Sequence, residues 1–322
     1  MFWKVLSTIQ KNLIYAIPIA MILGLLGGYF FDLSFLQAAI IPLTFLMVYP
    51  MMVNLQIDKV FAKGDWVPQL TAQAINFILI PMIAYTLGQW FFPEKPVAVL
   101  GLLLAALLPT SGMTISWTGF AKGNLNAAIK MTVIGLILGS LLTPLYTQWL
   151  MGKSIEIPMG KIFMSIIVVV FLPMLAGVST KRLLVKRVGI EHYRQNIAKK
   201  FPPISTLGVL GIVFVAIALK ANDILGQPAV VVRYLMPLLL LYLINFTLST
   251  LIGKWFFSRG DAIAIVYGTV MRNLSIALAV AMTAFAEHGA EIAVIIALAY
   301  IIQVQAAAWY VRLTDNIFGK AE

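Results

Sequence analysis

Gly268-Thr269-Val270-Met271-Arg272-Asn273-Leu274-Ser275 is the stretch on which the reading of this chain turns. Arg272 is the one charge in an otherwise apolar run from 262 to 286, with ten uncharged residues before it and fourteen after. A helix needs about 20 residues to cross the hydrocarbon of a bilayer. The run is therefore a membrane span with an arginine near its middle. Such a residue costs at least about 2.5–3.5 kcal/mol to insert and sits too deep to snorkel to either surface. It must face a cavity or a partner. Two readings follow: a structural arginine tied to helix-end carbonyls, or a charge that meets an anionic solute.

The rest of the chain has the same texture. Stretches without Asp, Glu, Lys or Arg run over 12–31, 33–57, 66–93, 96–121, 131–152, 162–180, 201–219, 234–253 and 292–311. With 262–286 they predict an all-α polytopic membrane protein of ten transmembrane helices, the first two joined in a tight hairpin at Phe31-Asp32. Composition agrees: 61% of residues are hydrophobic and 11% charged, against about 25% charged in soluble domains. Mean hydropathy is +0.96. There is too little polar side chain to cover a water-facing surface. The first run is long enough to span and others follow, so it reads as a span and not a cleavable signal.

The net charge of +11 does not point to nucleic acid, because the basic residues fall between the apolar runs, where membrane topology explains them. With a cytoplasmic N-terminus, seventeen Lys and Arg lie inside, among them Lys59, Lys63, Lys130 and the basic loop 181–200. Five lie outside: Lys95, Lys153, Lys161, Lys220 and Arg233. Both termini are expected in the cytoplasm and the protein in the cell membrane. There is no cysteine, hence no thiolate metal site and no cysteine nucleophile. No metal and no cofactor are expected.

The chain echoes itself. Trp90-Phe91-Phe92 returns as Trp255-Phe256-Phe257 and Phe120-Ala121 as Phe285-Ala286, both 165 residues on, while Ile75-Asn76-Phe77 returns as Ile244-Asn245-Phe246. Five-span halves over 1–155 and 156–322 enter the membrane from opposite sides, the inverted-repeat plan of many secondary transporters. Such proteins place their site where helices break near the midplane. Leu108-Pro109-Thr110-Ser111-Gly112-Met113-Thr114 is one candidate break. Its proline removes a donor, its glycine loosens the helix, and its hydroxyls can satisfy freed carbonyls. The stretch around Arg272 is the other, with Thr110 and Ser275 matching at the repeat offset. Arg272, Asn273, Ser275, Thr110, Ser111 and Thr114 are the candidate substrate-binding residues, joined by the recurring Asn76 and Asn245.

Other polar residues read more plainly. Gln73, Gln303 and Gln305 are expected in packing or crossing contacts, and Lys130 near a helix start. Glu191 and His192 are expected in a solvated loop, with His288 and Glu291 flanking another. The acidic residues form no paired motif, so a membrane-embedded lipid-modifying enzyme is a remote alternative and the protein is not expected to be an enzyme.

Pro109-Thr110-Ser111-Gly112, Phe120-Ala121-Lys122-Gly123-Asn124 and Leu141-Leu142-Thr143-Pro144 resemble spans four and five of the bile acid:sodium symporter superfamily. Arg272-Asn273-Leu274-Ser275-Ile276-Ala277-Leu278-Ala279-Val280-Ala281 resembles span nine of its arsenical-resistance branch. The resemblance implies a core of spans 3–5 and 8–10, a panel of spans 1, 2, 6 and 7, and unwound spans four and nine crossing in the core. It also exposes departures. Thr110 stands where arsenite efflux transporters carry a cysteine, and Ser275 where they carry a glutamate. Gly268 and Arg272 stand where sodium-coupled relatives carry an acidic residue and a glutamine. A soft thiolate ligand for trivalent arsenic is missing. The expected function is secondary transport of a small anionic or oxyanion-like solute by alternating access. Arsenite efflux without the usual cysteine is the alternative.

Overall fold

The computed structural model describes residues 2–57, 64–226, 229–285 and 287–320. Lys59, Lys63 and Ala286 lie outside the described residues. The described residues are mostly helical, joined by turns and short breaks, with one isolated antiparallel bridge, Pro109 to Arg272. Among the described residues, seven helices are long and apolar enough to cross a membrane: Ser34–Val53, Trp66–Phe91, Leu125–Met151, Met159–Val188, Ile190–Leu219, Val231–Phe256 and Gly289–Phe318. The pair Trp3–Lys11 and Tyr15–Phe30, bent by 97°, makes an eighth if counted as one span. The chain is a multi-pass membrane protein.

The remaining apolar runs are interrupted. Run 96–121 is two helices, Pro96–Leu107 and Gly112–Phe120. Run 262–286 is also two, Arg259–Val270 and Leu274–Ala284. Their first halves are deeply packed: every residue from Ala98 to Leu107 and from Ala262 to Val270 is buried. A helix apolar on all sides is a core helix, and in a bilayer an interrupted helix has added reason to be one. Free backbone groups in hydrocarbon cost several kcal/mol each.

The chain divides into two compact units. The first comprises Met1–Leu55, Pro158–Val230 and Ser275–Ala297. Within it, helix Phe201–Leu219 packs on Leu13–Phe30 and Ile40–Val53. Small residues set the spacing: a Cβ on Gly208 would strike the backbone of Met47, and one on Gly177 that of Met52. Close helix approach at small residues replaces the hydrophobic drive that lipid does not supply. Segment 181–200 differs from the expected solvated loop. It is helical almost throughout, and Tyr193 is buried, its hydroxyl donating to Val53 O (3.2 Å) and Asn54 Oδ1 (3.0 Å). Asn54 Nδ2 donates in turn to Ala198 O at 2.9 Å. The reason is the free C-terminus of helix Ile40–Val53, whose last carbonyls need donors. Glu191 and His192 are exposed, as expected.

The second unit comprises Gln56–Ile157, Val231–Leu274 and Leu298–Glu322. At one end of it four chain segments meet. Asn124 caps helix Leu125–Met151 by accepting from the backbone of Asn126 and Ala127. Its Nδ2 donates to Asp65 Oδ1 (2.8 Å) and Asp261 Oδ1 (2.7 Å). Lys130, two turns into the same helix and 1% exposed, pairs with Asp65 at 3.5 Å and donates to Gly64 O. Arg259 reaches Lys122 O, Gly319 O and Asp315. Replacing Asn124 by alanine removes a cap worth about 0.5–2 kcal/mol and leaves two carboxylates without their shared donor. Asn124→Ala is expected to lower the thermal unfolding midpoint by several degrees, measured in detergent, whereas Asn126→Ala on the same turn leaves it nearly unchanged.

Candidate functional site

Each break leaves backbone groups without helical partners, and in the second unit they can be followed one by one. Helix Pro96–Leu107 ends in freed carbonyls. Ala106 O accepts from Arg272 Nη1 (3.1 Å) and Leu108 O from the backbone N–H of Asn273 (2.7 Å). Thr110 follows at φ 60°, in the left-handed region, an outlying conformation for a β-branched residue that stores about 1–3 kcal/mol. Its hydroxyl donates to Pro109 O (2.7 Å) and Thr132 O (3.2 Å). The chain then restarts as a helix with a capping box: Met113 N–H donates to Ser111 Oγ and Ser111 N–H to Thr114 Oγ1, each at 3.2 Å. Such a box satisfies two orphan donors reciprocally.

The second break is held from several sides. Helix Arg259–Val270 has its C-terminal carbonyls taken by two side-chain amides: Asn76 Nδ2 donates to Gly268 O and Asn245 Nδ2 to Thr269 O, both at 2.9 Å. Ser249 braces the second contact, hydrogen-bonding to Asn245 Oδ1 and Thr269 Oγ1. Gln303 then grips the unwound backbone. Its Oε1 accepts from the Arg272 N–H at 2.7 Å and its Nε2 donates to Arg272 O at 3.2 Å. The same Oε1 accepts from Tyr242 OH at 2.9 Å.

Of the sequence candidates in the second unit, Arg272, Asn273, Thr110, Ser111, Thr114, Asn76 and Asn245 are all buried. Arg272, Asn273 and Thr110 meet at the paired breaks, Ser111 and Thr114 cap the restart of the first, and Asn76 and Asn245 hold the end of the second. Ser275 is buried in the first turn of Leu274–Ala284, where the chain has entered the first unit. The sequence carries no signal for Thr132 and marks Gln303, an amide inside an apolar run, only as a packing or crossing contact; nothing in its neighbours says that it binds Arg272. Among the described residues, Arg272 Nη2 has no hydrogen-bond partner, and no carboxylate pairs with this arginine, which is 2% exposed.

A family model, the Sodium Bile acid symporter family, matches residues 41–227, more than half of the chain. The chain belongs to the Sodium Bile acid symporter family. As a transporter of that family it is similar to the arsenical-resistance protein Acr3 of Corynebacterium glutamicum, 23% identical over 257 residues, 76% of this chain and 70% of that protein. The Acr3 of Alkaliphilus metalliredigens is 24% identical over 61% of this chain, a match spanning 58% of its own length. An uncharacterized sodium-dependent transporter of Bacillus subtilis, YocS, is 24% identical over 73% of this chain and 72% of its own. The family-matched segment contains the whole first break and ends before the second.

The geometry ranks Gln303 as the main support of the second break. Gln303→Leu strands the Arg272 N–H and C=O and the Tyr242 hydroxyl, each worth about 1–3 kcal/mol when buried unpaired. A stability loss of about 3 kcal/mol or more is expected. Gln303→Glu keeps the acceptor and should lose less, both read by thermal unfolding of the purified protein.

Proposed function

We propose that this family member is a secondary transporter of a small anionic or oxyanion-like solute, working by alternating access, and that Arg272 is the charge the solute meets. The observation that carries the reading is the guanidinium itself. It is buried, one of its terminal nitrogens is held by a helix-end carbonyl and the other has no partner among the described residues. Charge left unpaired in low dielectric is costly, and an anion is the partner that offsets it. Asn273, Thr110, Ser111 and Thr114 lie along the same paired breaks and offer amide and hydroxyl groups, while Asn76 and Asn245 position the helix end.

The architecture proposed with it is ten crossings in two inverted repeats, 1–155 and 156–322, with a core of spans 3–5 and 8–10 and a panel of spans 1, 2, 6 and 7. The reading is supported by seven continuous apolar helices, one bent pair and two interrupted runs among the described residues. The segments that meet around Asn124 are ones the charge count puts on the cytoplasmic side. Gly268 and Arg272 occupy the positions where sodium-coupled relatives carry ligands, so a fixed cation takes the place of a bound one and transport proceeds without sodium. The arsenical-resistance relatives favour a second reading, arsenite export. It lacks its thiolate at Thr110, and direct arsenite binding by the purified protein separates the two.

The Arg272 substitutions divide the substrate role from a structural one. Arg272→Lys keeps the charge but loses the planar fork, and loss of one charge-assisted bond weakens anion binding about 10- to 100-fold. Arg272→Gln is expected to fold and to lose anion binding altogether, in sodium and in choline media alike. An Arg272→Gln protein that unfolds, or that folds and transports normally, removes the arginine from the solute site. Topology is tested separately: a cysteine at His192 in this cysteine-free chain should resist an impermeant thiol reagent added outside intact cells and react in inverted vesicles.

A further inference from the structure

Helix Trp66–Ala74 continues as a π-helical turn over Ile75–Leu79. Its outward residues Leu70, Ala74 and Ile78 are exposed and apolar, as a lipid-facing surface requires. The opposite face is different. Gln69 is 1% exposed, Gln73 8% and Asn76 0%. Spacings of four and three residues put all three amides on one side of the helix.

These amides are almost wholly unused. Among the described residues, both polar atoms of Gln69, both of Gln73 and the Oδ1 of Asn76 have no hydrogen-bond partner. Only Asn76 Nδ2 is engaged, on Gly268 O. Gln303 shows the contrast: a buried glutamine in the same unit with both polar ends bonded. A buried amide atom left unmet costs about 1–3 kcal/mol, and native interiors hold only a few per hundred residues. Here five fall within eight residues of one helix face. Leucine would fill this face without penalty, so the amides require polar company. Donors and acceptors are both open. A bare cation would serve the carbonyl oxygens and leave the NH2 groups of Gln69 and Gln73 unmet. Water serves both.

The stripe also has two defined ends. It starts one turn below Asp65, the residue before the helix, whose side chain is 20% exposed in the Asn124–Lys130 cluster. It finishes at Asn76 on Gly268 O, in the last turn before the Met271–Asn273 break. We propose that this face is one wall of a water-filled passage running from the Asp65 mouth to the broken end of helix Arg259–Val270. The passage is a half-channel inside the second unit: it brings bulk water, and small ions dissolved in it, to the break from one side of the membrane. This is independent of which solute Arg272 meets.

The absence of native cysteine makes the passage directly testable. Gln69→Cys and Gln73→Cys, reconstituted in vesicles, are treated from each side with a small cationic methanethiosulfonate. Asn126→Cys, exposed beside Asn124, marks the mouth, and Leu102→Cys, fully buried among apolar residues, is the dry control. Only a hydrated thiol ionises to the reactive thiolate. Positions 69 and 73 should react from the same side as position 126, at least about tenfold faster than position 102. Rates no faster than at position 102, or reaction only from the opposite side, overturn the proposal. A second measurement needs no substitution. In the native protein with labelled glutamine, the side-chain amide protons of Gln69 and Gln73 should exchange with solvent well ahead of those of Gln303. Equal or slower exchange overturns the passage even if the cysteine variants fail to fold.

Discussion

A broken helix inside a membrane must have its freed backbone groups met by protein or by an enclosed polar cavity, and that requirement organises the second unit. Hydrocarbon offers them nothing. Two breaks therefore solve each other's problem. Leu108 O takes the Asn273 N–H, Ala106 O takes the Arg272 guanidinium, and Pro109 faces Arg272 in the one isolated bridge. Further freed groups are met by side chains brought from three other helices: Asn76, Asn245 and Gln303. The deep burial of Pro96–Leu107 and Arg259–Val270 is a consequence, since only packed neighbours can deliver these groups.

Arg272 is then both strut and charge. Its backbone is clamped at N–H and C=O by one glutamine, and one guanidinium nitrogen is bound to a helix end carrying partial negative charge. Carbonyl dipoles offset part of the cost of burial, yet they do not neutralise a full charge. Among the described residues no carboxylate supplies the opposite charge, and that is the place the proposed function gives to an anionic solute. In the proposed function, an anion that draws on the guanidinium would also draw on the carbonyl end of Pro96–Leu107.

The family relationship and the departures from it fit together on this frame. The Sodium Bile acid symporter match covers the first break, where proline, hydroxyls and glycine build the unwound turn. Thr110 holds a left-handed turn with two hydrogen bonds to carbonyls, so the position carries a structural task of its own. Gly268 supplies a carbonyl rather than a side chain, and that carbonyl is occupied by Asn76.

By itself the sequence determined that the chain lives in a membrane, where its apolar runs lie, and that runs 96–121 and 262–286 carry breaks. Those properties are local: length, hydropathy, proline and a lone arginine register in any window of about 20 residues. It also marked Arg272, Asn273, Thr110, Ser111, Thr114, Asn76 and Asn245 as residues out of place in hydrocarbon. Tertiary structure alone decided what each of them does. Asn76 and Asn245 look alike as an echoed motif, yet both cap the same helix end, because direction in space is set by partners nearly two hundred and about twenty-five residues away. The basic segment 181–200 reads as a loop by charge, but it is helical and bonded to the end of Ile40–Val53, Tyr193 donating to Val53 O and Ala198 O accepting from Asn54 Nδ2. Gln303 and Gln73 are the same residue type in equally apolar runs. One is saturated by the backbone of Arg272 and the other faces a stripe of unmet amides, a difference that only the packing of distant helices creates.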